Sequence, residues 1–106
     1  MEKTIVINYQ EIKLKSNGAT PLLYKKHFGK DFFAELMKMQ GGKGKSAENL
    51  DLEVFYNFVW LFAKQSDISL PNQLEWLDTF DSFPIMDVIS EIQEMITSTI
   101  QTNKKK

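Results

Sequence analysis

The apolar positions of this chain change period along its length. Residues 4–7, from Thr4 to Ile7, are all β-branched, and Ile12-Lys13-Leu14-Lys15 alternates apolar with charged, as a half-buried strand does. The polar Asn8-Tyr9-Gln10-Glu11 stretch between them reads as a short hairpin connection. Two strands alone are marginally stable, so the hairpin must lie on helices or pair with another copy.

Downstream the spacing becomes helical. Thr20-Pro21 predicts a helix start, with threonine capping free backbone N–H groups and proline losing no hydrogen bond at the first position. That helix should run to about Phe28, where Gly29 can take a left-handed conformation and Asp31 can cap the next helix. Phe32, Phe33, Leu36, Met37 and Met39 give the next helix an apolar stripe. The stretch near 40–48 carries three of the five glycines and almost no apolar side chain, and reads as a flexible linker.

Beyond it, residues 54–63 are apolar or aromatic at every position except Asn57. A helix apolar nearly all round is normally buried, which makes 51–63 the expected centre of the core. Asn72, with Glu75 three residues on, has the form of a capping box and opens a short helix carrying Leu74, Trp76, Leu77 and Phe80. Ser82-Phe83-Pro84 opens the last helix, whose Ile85, Val88, Ile89, Ile92, Met95, Ile96 and Ile100 share one face. The prediction is a single α+β domain over residues 1–106, an N-terminal β-hairpin followed by about five helices. A flexible tail is expected at 101–106.

Charge is unevenly spread. Residues 1–50 hold nine lysines against five acids, for +4, whereas residues 51–103 hold Lys64 alone against nine acids, for −8. Lys104, Lys105 and Lys106 add +3, and the net charge is −1. Such polarity suits either two solvated faces of one fold or head-to-tail self-association, the basic half of one copy meeting the acidic half of the next.

The residue types absent narrow the chemistry. There is no cysteine and no arginine, and His27 is the single histidine. A disulfide framework, a thiolate nucleophile and a cysteine-ligated zinc site are excluded, and so is the bidentate guanidinium grip of many nucleic-acid sites. His27, at the end of a short helix, fits a contact with terminal carbonyls or the helix dipole better than catalysis, because no nucleophile is specified beside it. Asp78, Asp81 and Asp87 are too irregular for a calcium loop, and Glu91 with Glu94 fits a solvated face. Lys45-Ser46 lacks the glycine spacing and preceding strand of a phosphate-binding loop. No enzyme, metal or cofactor is expected.

No apolar run approaches the length of a membrane helix, and no basic segment precedes an apolar one at the N-terminus, so a cytoplasmic protein is expected. Lys104 to Lys106 would contact too few phosphates to hold a duplex. Protein–protein interaction is the class that survives. The aromatics Trp60, Phe62, Trp76 and Phe80 suit the core better than an interface, but tryptophan is over-represented at contact hot spots, so Trp60 and Trp76, with the edge of the last helix at Ile92, Ile96 and Ile100, are the candidate partner-binding residues.

The order of segments resembles a known family. The hairpin from Thr4 to Leu14, the Thr20-Pro21 helix start, the Phe28-Gly29-Lys30-Asp31 break, the acid-capped aromatic helix at 51–63 and the Leu74-Glu75-Trp76-Leu77-Asp78 segment resemble the tail assembly chaperones of long, non-contractile-tailed phages of Gram-positive bacteria. The resemblance covers roughly residues 3–100 and rests on apolar and capping positions, not catalytic signatures. It implies a non-enzymatic factor in the host bacterial cytoplasm, absent from the mature virion. Such a factor binds the tape measure protein, keeps it soluble and helps tail-tube protein assemble around it. It also implies a longer form made by ribosomal frameshifting. The alternative is a small phage or prophage regulatory protein of repressor or anti-repressor type, against which the missing arginines and the lack of a basic recognition helix both count.

Overall fold

The hairpin that opens the chain turns on two residues rather than four. In the computed structural model, which describes residues 1–40 and 52–100 (without the side chains of 37–40 and 100), β1 (Glu2–Ile7) pairs antiparallel with β2 (Gln10–Lys15). Ile7 lies opposite Gln10 and Ile5 opposite Ile12. Asn8 and Tyr9 alone make the turn, with φ of 52° and 68°. Positive φ at both central residues matches the right-handed twist of the flanking strands. Gln10 and Glu11, expected in the connection, therefore belong to the ladder.

Five helices follow: α1 (Thr20–Phe28), α2 (Phe32–Gln40), α3 (Leu52–Ser66), α4 (Gln73–Leu77) and α5 (Ile85–Ile100). The α+β architecture is as the pattern predicts. β2, α1 and α5 all pack on α3, while β1 packs on α5 and α2 on α1. The centre of the core is α3, with Val54, Phe55, Phe58, Val59, Leu61 and Phe62 all buried. Full burial of one such side chain contributes about 1.5–3 kcal/mol. Ile5, Ile7 and Leu14 close the core from the hairpin, Tyr24 and Phe32 from α1 and α2, and Val88, Ile92, Met95 and Ile96 from α5.

Helix ends follow local chemistry, with one exception. Gly29 sits at φ 70° after α1, and its N–H donates to the Lys25 carbonyl. Asp31 caps α2 through the Ala34 N–H at 2.9 Å, and Asn72 caps α4 through the Glu75 N–H at 2.9 Å. The exception is Thr20, which caps nothing because Ala19 occupies the cap position. Its buried hydroxyl instead accepts from the Asn17 N–H and donates to Gln65 Oε1 at 2.6 Å, tying the start of α1 to the end of α3.

One polar chain crosses the core. Gln73 Nε2 donates to Asn57 Oδ1 at 2.8 Å, Asn57 Nδ2 to the Tyr24 hydroxyl at 3.2 Å, and that hydroxyl to Glu35 Oε1 at 3.4 Å. It links α4, α3, α1 and α2 in turn. Asn57, the one polar residue of the apolar run, is buried because its amide completes this chain, as buried polar groups must. Glu35 is buried with it, while Phe33, expected in the apolar stripe, is exposed. Among the described residues no helix is long and apolar enough to cross a membrane. The linker read near 40–48 lies, from residue 41 on, outside the described residues, as do the Lys45-Ser46 pair and the tail 101–106.

Candidate functional site

A groove of about 470 Å³ opens where the end of β2, the outer face of α1 and the last turns of α3 converge. Leu23 and Leu61 line it together with Ile68, which is 85% exposed. Around these apolar side chains stand Lys15 from β2, Lys26 and His27 from α1, and Lys64 from α3. Among the described residues no carboxylate lines it. The helix period explains the assembly: Leu23, Lys26 and His27 are three and four residues apart on α1, as are Leu61, Lys64, Gln65 and Ile68 along α3 and just beyond it.

Two hydrogen-bonded clusters fix the ends of this groove. At one end Asn17 Oδ1 accepts from the Ala19 N–H at 2.9 Å and from Gln65 Nε2 at 3.2 Å, beside the Thr20–Gln65 bond. At the other, Lys64 Nζ donates to the carbonyls of Ile68 at 2.8 Å and Leu70 at 2.6 Å. Carbonyls are neutral, so the Lys64 charge is held in place without being cancelled. Asp67, the carboxylate that feels Lys64, is turned to Ser69, whose hydroxyl and N–H hold its pKa below the ordinary carboxylate value.

His27 stacks edge-on against Trp60, ring centres 5.1 Å apart. Partial burial, then the positive charges of Lys64 and Lys26, lower its pKa from the ordinary histidine value. That direction is opposite to the effect expected of a helix C-terminus, which favours the protonated ring. A groove of this kind favours a ligand that brings carboxylates around an apolar stripe.

The residues singled out from the sequence lie elsewhere. Trp60 and Trp76 are each 5% exposed, and Ile92 and Ile96 are equally buried, so all four are core residues rather than a contact surface. The reason is local packing. Trp60 is walled by Phe28 and His27 and donates Nε1–H to the Pro71 carbonyl at 3.0 Å, which satisfies its polar end without solvent or partner. Trp76 stacks on Phe80 and Phe83. Ile92 and Ile96 are on the α5 face turned to the core, and the side chain of Ile100 lies outside the described residues. The exposed face of α5 carries Met86, Asp87, Glu91 and Glu94 instead.

Among the described residues no three His, Cys, Asp or Glu side chains gather as a metal-holding group. No protein-family model matches the chain, and no curated protein or solved structure matches it either.

Proposed function

We propose that the chain is a protein-binding module and that its partner is the tape measure protein, which it keeps soluble while tail-tube protein assembles around it. The observation that supports this reading best is the lysine-rimmed apolar groove between α1, α3 and β2. A long helical partner, exposed before its tube forms, presents apolar stripes that would otherwise aggregate. A groove that meets such a stripe with Leu23 and Ile68, over the buried Leu61, and its flanking acids with Lys15, Lys26 and Lys64, covers them reversibly.

Many copies along one partner make weak single contacts sufficient, since each further contact gains from the local concentration that the others create. Head-to-tail contacts between copies belong to the same reading: the exposed acids of α5 on one copy suit the lysines of the groove on the next. The work is non-enzymatic and cytoplasmic in the host, and the protein leaves before the virion is complete.

Co-expression tests this proposal. A tape measure fragment, encoded by a very long helical gene beside this one, should move from the insoluble to the soluble fraction when this chain is present and should co-purify with it. No gain in solubility and no co-purification would defeat the proposal.

A further inference from the structure

The outer edge of β1 is a second surface, separate from the lysine-rimmed groove and independent of the function proposed above. Its backbone direction follows from the register. Ser16 N–H donates to the Met1 carbonyl and the Met1 amine to the Ser16 carbonyl, so Met1 and Ser16 form a bonded pair. Bonded pairs alternate along an antiparallel ladder, which makes Lys3–Leu14, Ile5–Ile12 and Ile7–Gln10 the other bonded pairs. Glu2, Thr4 and Val6 therefore aim their N–H and C=O groups away from β2. The sheet has two strands, and β1 has no neighbouring strand on that side among the described residues.

An edge of this kind is normally blunted by charge, proline or a bulge. Here Thr4 and Val6 are exposed and uncharged, and Val6 is a strong strand former. Beside them runs a groove of about 530 Å³, lined by Thr4, Ile5 and Val6 on one side and by Pro84, Asp87, Val88 and Glu91 among others on α5 and its entry. Strand edge on one wall and helix on the other is the arrangement in which an extended segment adds to a sheet.

The helix wall states what such a segment must carry. Asp87 and Glu91 are four residues apart, about 6 Å along the helix axis. Alternate side chains of an extended strand are about 6.8 Å apart, so two cations separated by one residue meet both carboxylates. The groove already draws one ammonium: Lys3 Nζ lies 3.7 Å from Glu91. A second copy of β1 carries a single lysine, Lys3, beside the carboxylate of Glu2 and has no basic-x-basic pair, so the charge favours a different strand.

We infer that β1 and the first turns of α5 form a docking groove for an extended segment of a partner protein with a basic-x-basic pattern, which adds to the sheet as a third strand. A capped, fluorescent Thr-Lys-Val-Lys-Thr peptide titrated into the full chain tests it by anisotropy, with amide exchange read by NMR. The expected result is saturable binding that slows exchange at Thr4 and Val6. Binding should be lost for the same peptide N-methylated throughout and weakened by Asp87→Asn with Glu91→Gln. Absence of binding, binding that survives N-methylation, or binding without protection of Thr4 and Val6 would overturn it. The N-methylated peptide needs no protein variant, so a folding defect cannot imitate the result.

Discussion

The side-chain amide of Asn57 donates to the hydroxyl of Tyr24 at 3.2 Å inside the core, joining the helix at the centre of the core to the helix whose outer face walls the lysine-rimmed groove. Asn57→Ala removes this donor and also the acceptor for the half-exposed Gln73, cutting the polar chain at its centre while the Tyr24 hydroxyl keeps its bond to Glu35. The expected loss is about 1–3 kcal/mol, seen as a lower urea midpoint at unchanged slope. Tyr24→Phe removes only the hydroxyl and should cost less than Asn57→Ala. Equal stability of both variants and the parent would show that the polar chain contributes nothing.

Gly29 terminates α1 at φ 70°, and a Cβ built there meets nothing within 4 Å. The cost of Gly29→Ala is therefore conformational alone, about 1–2 kcal/mol. Gly29→Asn should lose less, since asparagine visits the left-handed region more readily. Thermal melts of the pair check both the size and the order.

Trp60 and Trp76 separate packing from recognition. Truncating either to alanine opens a large hole and should cost about 3–5 kcal/mol, a large part of what a domain of this size possesses. Lys26→Glu, on an exposed position of the groove, should change the unfolding free energy by no more than about 0.5 kcal/mol while reversing one rim charge. A partner-binding defect in Lys26→Glu with an unchanged midpoint assigns binding to the groove.

How far the fold can be read from the chain depends on the range of the interactions. Gly29, Asp31 and Asn72 are local devices, and each acts where its residue type predicts; the hairpin is local too, with a turn two residues shorter than its polar stretch predicts. Thr20 is a local expectation that a long-range one displaced, because Gln65 on α3 takes its hydroxyl. The groove combines residues from Lys15 to Ile68, and no pattern within one segment marks a convergence of that kind. Trp60 and Trp76 mislead for a related reason: residue type says that tryptophan wants an apolar body and a bonded N–H, and both a core and an interface provide them. Pro71, Phe80 and Phe83 decide in favour of the core.

His27 gives the groove a pH signature. Its pKa is lowered below the ordinary 6.5 by partial burial and by Lys64 and Lys26. The folded protein resists protonation more than the unfolded chain does. Stability is therefore complete above pH 6.5 and declines as pH falls from there through the folded-state value. His27→Gln should flatten that part of the curve. A carboxylate-bearing partner in the groove acts in the opposite direction, raising the His27 pKa and binding more tightly as the ring becomes charged. NMR titration of the His27 ring with and without partner reads both effects.

The central claim, that the lysine-rimmed groove holds the partner's helix, is tested most directly by amide shift mapping of the labelled full chain as a tape measure fragment is added. The account predicts shifts concentrated at Lys15, Leu23, Lys26, His27, Lys64 and Ile68, diminishing as salt screens the rim. Shifts confined to other surfaces, or a spectrum unchanged by saturating fragment, would contradict it.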